Sequence, residues 1–169
     1  MILETKRLII DRFRPDHAAF ILELLNSPGW LQYIGDRNVN SLEQARKFLE
    51  TRLMQAYDQY GYGFSVILMK STGQPIGGCG LINRDALEHP DIGYALLPEY
   101  AGMGYAFEAA DATLINARDD LGLKKVLAIC RQDNDRSIRL LKKLGFQYEK
   151  MIRLPDEDIN FCRYEIDLY

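Results

Sequence analysis

The sequence is short of the residues that build metal centres and covalent staples. Its 169 residues include three cysteines and two histidines. Cys79, Cys130 and Cys162 are odd in number and widely spaced, which argues against a disulfide framework or a thiolate zinc site. With only His17 and His89 beside them, an imidazole-based metal centre has no basis, and no metal is expected. No apolar run approaches the roughly 18 residues that suggest a membrane-spanning helix. The start, Met1-Ile2-Leu3-Glu4-Thr5-Lys6-Arg7, does not read as a secretory leader. An excess of one charge is missing too: 21 Lys and Arg stand against 24 Asp and Glu, a formal net charge of −3. That balance gives no general reason to expect nucleic acid or an anionic membrane as partner. Repeats, low-complexity segments and interdomain linkers are absent. The thiols read as reduced, in a cytoplasmic protein, and the sequence leaves monomer and homodimer both open.

What is present fits a globular chain. Hydrophobic residues make up 47% and charged residues 27%, enough to bury a substantial core in one domain over residues 1–169. Arg7 to Phe13 reads as a first strand. Pro15 and Asp16 open a helix to Asn26 whose inner face carries Ala19, Phe20, Leu22 and Leu25, and Ser27-Pro28-Gly29 breaks it. Ser41-Leu42-Glu43-Gln44 has the form of a capping box and starts a second helix that Gly61 ends. Phe64 to Met69, Ile76 to Ile82 and Asp91 to Leu97 follow as a three-strand meander. A long helix from about Gly104 to Leu121 stops at Gly122. The strand Lys125 to Ile129, the helix Arg136 to Leu144 and a hairpin of Phe146 to Arg153 with Ile159 to Leu168 complete the chain. The order β-α-α-β-β-β-α-β-α-β-β is an α+β, or mixed α/β, domain around one central sheet.

The most telling stretch is Leu96-Leu97-Pro98-Glu99-Tyr100-Ala101-Gly102-Met103-Gly104-Tyr105-Ala106, running into Phe107-Glu108-Ala109-Ala110. An apolar strand stops at a proline, a glycine turn follows, and a long helix begins at once. Small residues let a ligand approach the backbone, and the unpaired amides of a first helical turn favour an anion such as a pyrophosphate. Alone the turn is a weak signal. A dinucleotide fold wants a third glycine near Phe107, and no Lys-Ser/Thr pair makes a phosphate-loop nucleotidase. The plain alternative is a tight turn that needs backbone freedom.

A second motif, Asn134-Asp135-Arg136-Ser137 through Gly145-Phe146, follows the short strand Val126 to Ile129 directly. With it the chain resembles the GNAT superfamily of acetyl-CoA-dependent N-acetyltransferases. Ala101-Gly102-Met103-Gly104-Tyr105-Ala106 matches their pyrophosphate loop, Arg/Gln-x-x-Gly-x-Gly/Ala, except at Ala101. Asn134, Ser137, Gly145 and Phe146 match their later element. Thr5-x-Arg7-Leu8, Ile92-Gly93-Tyr94 and Gly104-Tyr105-Ala106-x-Glu108-Ala109 are similar to the branch that modifies ribosomal-protein N termini. The resemblance spans essentially the whole chain.

That resemblance implies a mostly antiparallel, splayed sheet flanked by helices. It implies acetyl-CoA as co-substrate and an amine acceptor, a protein N terminus or a small molecule, acetylated by direct attack. Leu96 and Leu97 would lend backbone groups to the pantetheine arm, and Gly102, Met103, Gly104, Tyr105 and Ala106 would cradle the pyrophosphate. Lacking Arg or Gln at 101, the loop would rely on its amides. Asn134 would bond the pantetheine, besides serving as a helix N-cap. Ser137 would donate to the departing sulfur, the plain alternative being an early-helix serine bonded to backbone. An α-amine near ~7.7–8 is partly neutral already and tolerates a weak base, direct or through water. Asp91 and Glu99 are the base candidates, neither distinguishable by sequence from a solvated acid. Arg136, Arg139, Lys142 and Lys143 read as a solvated basic face or as contacts for nucleotide phosphates. Trp30 and Tyr33 read as acceptor-pocket or core aromatics. With no clear base, a non-catalytic acyl-CoA-binding regulatory module is the rival function.

Overall fold

Eight strands line up in a single sheet of order β1-β2-β3-β4-β5-β6-β8-β7 in a computed structural model that describes residues 2–169. Met1, the first residue of the segment read for a leader, lies outside the described residues. The strands are β1 (Leu3–Glu4), β2 (Leu8–Arg12), β3 (Phe64–Met69), β4 (Pro75–Ile82), β5 (Asp91–Leu96), β6 (Lys125–Arg131), β7 (Gln147–Ile152) and β8 (Phe161–Asp167). All neighbours are antiparallel except β5 and β6. The helices are α1 (Ala18–Leu25), α2 (Pro28–Tyr33), α3 (Leu42–Phe48), α4 (Gln55–Tyr60), α5 (Tyr105–Asp119) and α6 (Asp135–Leu144). A π-helical segment, Leu49–Met54, joins α3 to α4 without a break. The architecture is the mixed α/β, mostly antiparallel sheet expected.

Each face of the sheet has its own core. Ile92, Tyr94 and Leu96 of β5 pack with Ala109, Ala110, Leu114 and Ala117 of α5 and with Leu141 of α6. Ala95 and Leu97 face the other way, into a cluster with Ile21, Leu24, Ala45 and Leu49. The two-residue alternation of a strand divides one segment between two cores. Tyr57 of α4 locks the second core to the sheet: its buried hydroxyl accepts from the Phe13 amide at 2.9 Å and donates to the Phe64 carbonyl.

Several local expectations change. The buried face of α1 carries Ala18, Phe20, Ile21, Leu24 and Leu25, while Ala19 is exposed and Leu22 only half-buried. The axis of the apolar stripe is thus rotated by about one residue. Ser27-Pro28-Gly29 does not simply break the chain: Pro28 takes the first position of α2, where its missing N–H costs nothing. Ser41 caps the Gln44 amide at 3.1 Å, but the Gln44 side chain reaches back to the Asn40 amide rather than to Ser41, so the box is not reciprocal. Strand β8 begins at Phe161, not Ile159, and a two-residue β1 precedes the first expected strand. Gly122 is left-handed as expected, at φ +66°, but the last helical residue is Asp119.

The feature that builds the site is the parallel pair. β5 and β6 meet only where Asp91 opposes Leu127, with the Leu127 amide on the Pro90 carbonyl at 2.9 Å. Beyond that point they share no ladder and open as a V. The alternation of the β4–β5 ladder sends the backbone groups of Ile92, Tyr94 and Leu96 toward this gap. Helix α5 follows the end of β5, and α6 follows the end of β6. Both helices therefore start at the open end of the V, with their positive dipole ends there.

Candidate functional site

One side of the opening is the turn from Pro98 to Gly104. A 3-10 turn, Pro98–Tyr100, leads into Gly102 at φ +79° and Gly104 at φ +83°. Such positive φ values cost other residues steric strain. Gly104 caps α5 by its backbone, the Glu108 amide donating to its carbonyl at 3.1 Å. Among the described residues, no hydrogen bond uses the amides of residues 102–107. Six donors without a protein acceptor at one helix start form an anion cradle. Chemically this fits the pyrophosphate of a CoA thioester, and a β-carbon at Gly104 would stand 3.3 Å from Arg7 Nη2 behind the loop.

The loop is braced from behind. Glu108, in the first turn of α5, accepts from Thr5 Oγ1 at 2.6 Å, from the Arg7 amide at 2.8 Å and from Arg7 Nε at 2.7 Å. Burial alone would raise this carboxyl, but the donors from Thr5 and Arg7 outweigh it and hold it below its usual value. Arg7 Nη1 also donates to the Met103 carbonyl at 3.0 Å.

The other side of the opening is the start of α6. Asn134 is its N-cap, its side-chain oxygen accepting from the Ser137 amide at 3.2 Å. The cap leaves the two amide N–H donors of Asn134 for another partner. The Ser137 hydroxyl stands 2.7 Å from the phenol of Tyr94, a hydrogen bond thrown across the V from β5. Burial raises the Tyr94 phenol well above its usual value, so it stays protonated at neutral pH. Nearby Cys130 is buried opposite Cys162 on β8, and burial pushes its thiol up to about 12.

Of the strand residues, Leu96 turns its backbone to the gap. Leu97 does not: its amide donates to Ile76 at 2.9 Å and its carbonyl accepts from Tyr100 at 3.0 Å. Asp91 sits at the root of the V on the face opposite Tyr94, almost fully buried, and Arg84 Nε donates to it at 2.8 Å. Burial raises its carboxyl despite that guanidinium. Glu99 lies exposed on the 3-10 turn. The structure thus gathers Gly102 to Ala106, Leu96, Asn134 and Ser137 around one opening, with Asp91 at its root. Trp30 closes the core edge-on against Phe64, and Tyr33 is half-buried at the end of α2. Arg136, Arg139, Lys142 and Lys143 are exposed, with Lys143 also 4.3 Å from the Phe107 ring centre. Among the described residues no three His, Cys, Asp or Glu side chains gather as a metal site requires. No described helix is long and apolar enough to cross a membrane. Tyr94 and the Arg7–Glu108 brace were not assigned roles from sequence, because each acts through a partner far along the chain.

A family model described as an acetyltransferase (GNAT) domain matches residues 7–147. The chain is 32% identical over 154 residues to YoaA of Bacillus subtilis, named an uncharacterized N-acetyltransferase, covering 90% of this chain and 86% of that protein. It is 31% identical over 160 residues to Bacillus subtilis YkkB, covering 87% and 88%. Among solved structures, RimL, a ribosomal-protein alpha-N-acetyltransferase in complex with coenzyme A, superposes with a TM-score of 0.84 at 18% identity, covering 99% of this chain and 98% of that one. A GNAT-family acetyltransferase from Bacillus anthracis gives 0.82 at 22% identity, covering 99% and 98%. At such identities these two attest to the fold.

Proposed function

The chain belongs to the GNAT acetyltransferase family, and from that premise we propose that it acetylates a primary amine with acetyl-CoA by direct attack. The acceptor is a protein N terminus or a small-molecule amine. The observation that carries this reading is the V between β5 and β6, with free amides on one side and the Tyr94–Ser137 pair on the other. When bound, acetyl-CoA supplies an activated acyl group on a thiol that titrates near ~8.5 and so leaves readily.

The chain's own residues have distinct tasks in this reading. Amides of Gly102, Met103, Gly104, Tyr105 and Ala106 hold the pyrophosphate, and the cradle needs no side chain at Ala101. The backbone of Leu96 and the free donors of Asn134 hold the pantetheine arm. Leu97, with both backbone groups engaged and its side chain buried in the second core, has no group to lend to the arm. Ser137 donates a hydrogen bond to the sulfur as the C–S bond breaks, Tyr94 donates one to the Ser137 oxygen, and the departing thiolate takes its proton from water. The acceptor nitrogen forms the C–N bond and loses its proton through water. Asp91, on the far face of the strand with its carboxyl raised by burial, takes that proton. Glu99 serves as an exposed relay acid beside the loop.

The N-terminal-amine option draws support from the fold neighbour named as a ribosomal-protein acetyltransferase and from pKa matching, since an α-amine needs only a weak base. Three buried free thiols support a reducing, cytoplasmic setting. We read residues 1–169 as one catalytic domain. The test is an acetylation panel of peptides, polyamines, amino acids and aminoglycosides with mass detection; an acetylated product with release of CoA thiol supports the reading. Release without product, or neither, removes it.

A further inference from the structure

We propose that Arg7 is a cofactor-positioning residue, which sets the anion loop from the turn between β1 and β2 and does there what Ala101 cannot. The proposal rests on acetyl-CoA as the donor. A single guanidinium reaches three parts of the loop and the helix behind it. Nη1 donates to the Met103 carbonyl at 3.0 Å, Nε donates to Glu108 at 2.7 Å, and the guanidinium carbon lies 4.4 Å from the centre of the Tyr105 ring. Nη2 lies over Gly104, 3.3 Å from where a β-carbon would stand.

These contacts have a directional consequence. A peptide is planar, so holding the Met103 carbonyl on the Arg7 side turns the Gly104 amide to the opposite side. The same bond takes a carbonyl oxygen away from any anion, which that oxygen would repel. Stacking on Tyr105 fixes the first helical residue, whose amide belongs to the same cradle. An arginine or glutamine at position 101 would act on the loop from within; here the brace comes from the far end of the chain. Lysine would not replace it, because one ammonium cannot fork between a carbonyl and a carboxylate while stacking on a ring.

The fold tolerates the test. Glu108 keeps Thr5 Oγ1 and the Arg7 amide as donors when the guanidinium is removed, so strand and helix stay joined. Arg7→Met and Arg7→Lys are compared with the wild type by calorimetric titration of CoA and by rates with acetyl-CoA and acetyl-pantetheine, which lacks the pyrophosphate. Losing charge-assisted bonds that order the loop raises the Kd for CoA by about tenfold in both variants. KM for acetyl-CoA rises similarly while kcat at saturation stays within about twofold. The preference for acetyl-CoA over acetyl-pantetheine therefore falls by about tenfold. A Kd equal to wild type, or an equal loss with acetyl-pantetheine, overturns the role of Arg7. A wild-type protein that binds no CoA overturns the donor reading instead, and the two failures are told apart in one titration series.

Discussion

Replacing Gly104 by valine strikes the anion loop where the structure allows a magnitude to be worked out. At φ +83° a residue with a β-carbon pays roughly 1–2 kcal/mol of steric strain, and β-branching does not lower it. The added β-carbon would also meet Arg7 Nη2 at 3.3 Å, and the two methyl groups reach further, adding about 1 kcal/mol or more of crowding. The cheapest relief is rotation of the peptide between residues 103 and 104, which turns the amides away from a bound anion. About 2 kcal/mol at the low end corresponds to a Kd for CoA raised roughly 30-fold. Gly102→Ala is the matched control. It carries φ +79° but has no atom within 4 Å of an added β-carbon. It pays strain alone, about 1 kcal/mol or roughly fivefold in Kd. Calorimetric titration with CoA, alongside a thermal melt to verify folding, measures both. A folded Gly104→Val protein that binds CoA within twofold of wild type would refute the cradle.

Other expectations follow from the same geometry. Ser137→Ala slows kcat by about tenfold or more while sparing the Kd for CoA, and Tyr94→Phe slows it less, because the serine hydroxyl remains; equal rates in all three proteins would return both side chains to a structural role. Asp91→Asn lowers kcat/KM for the acceptor by about 100-fold if the carboxylate takes the amine proton, and an unchanged pH–rate profile would leave Asp91 only its ion pair with Arg84. The Glu108 carboxyl, held below its usual value despite burial, contributes stability above its unfolded value of about 4.3 and loses it as pH falls through the folded value. Melting temperature should therefore drop in acid, and Glu108→Gln should flatten that part of the curve; a parallel curve in the variant would contradict the brace.

Local signals explain why some of this was readable in the chain. Pro98 after an apolar run, glycines at 102 and 104, and Asn134 before a helix are each set by short-range backbone geometry, so their places follow from neighbouring residues. Gly145 likewise marks the end of α6, at φ +100°. The signal for α2 was also present, a serine followed by proline at the first helical position, but it competes with the same residues read as a breaker. What stayed hidden is long-range. Arg7 and Glu108 are 101 residues apart and Tyr94 and Ser137 are 43 apart, so no periodicity links them. Asp91, a base candidate, cannot be told from a solvated acid by sequence, because nothing local reveals that Arg84 and a parallel strand will bury it. Leu96 and Leu97 looked equivalent until the ladder gave the groups of one to the gap and those of the other to Ile76 and Tyr100.

The central claim is that the V between β5 and β6 is a catalytic acetyl-CoA cleft. Its most direct test is mass-detected acetyl transfer by purified protein across a panel of amines, with CoA thiol counted in the same reaction. The account predicts an acetylated amine matched one for one by released thiol, with α-amines favoured at neutral pH and both signals lost together in Gly104→Val at limiting acetyl-CoA. Tight binding of CoA with no acetylated product from any amine would contradict it and leave a cleft that binds acyl-CoA without catalysis.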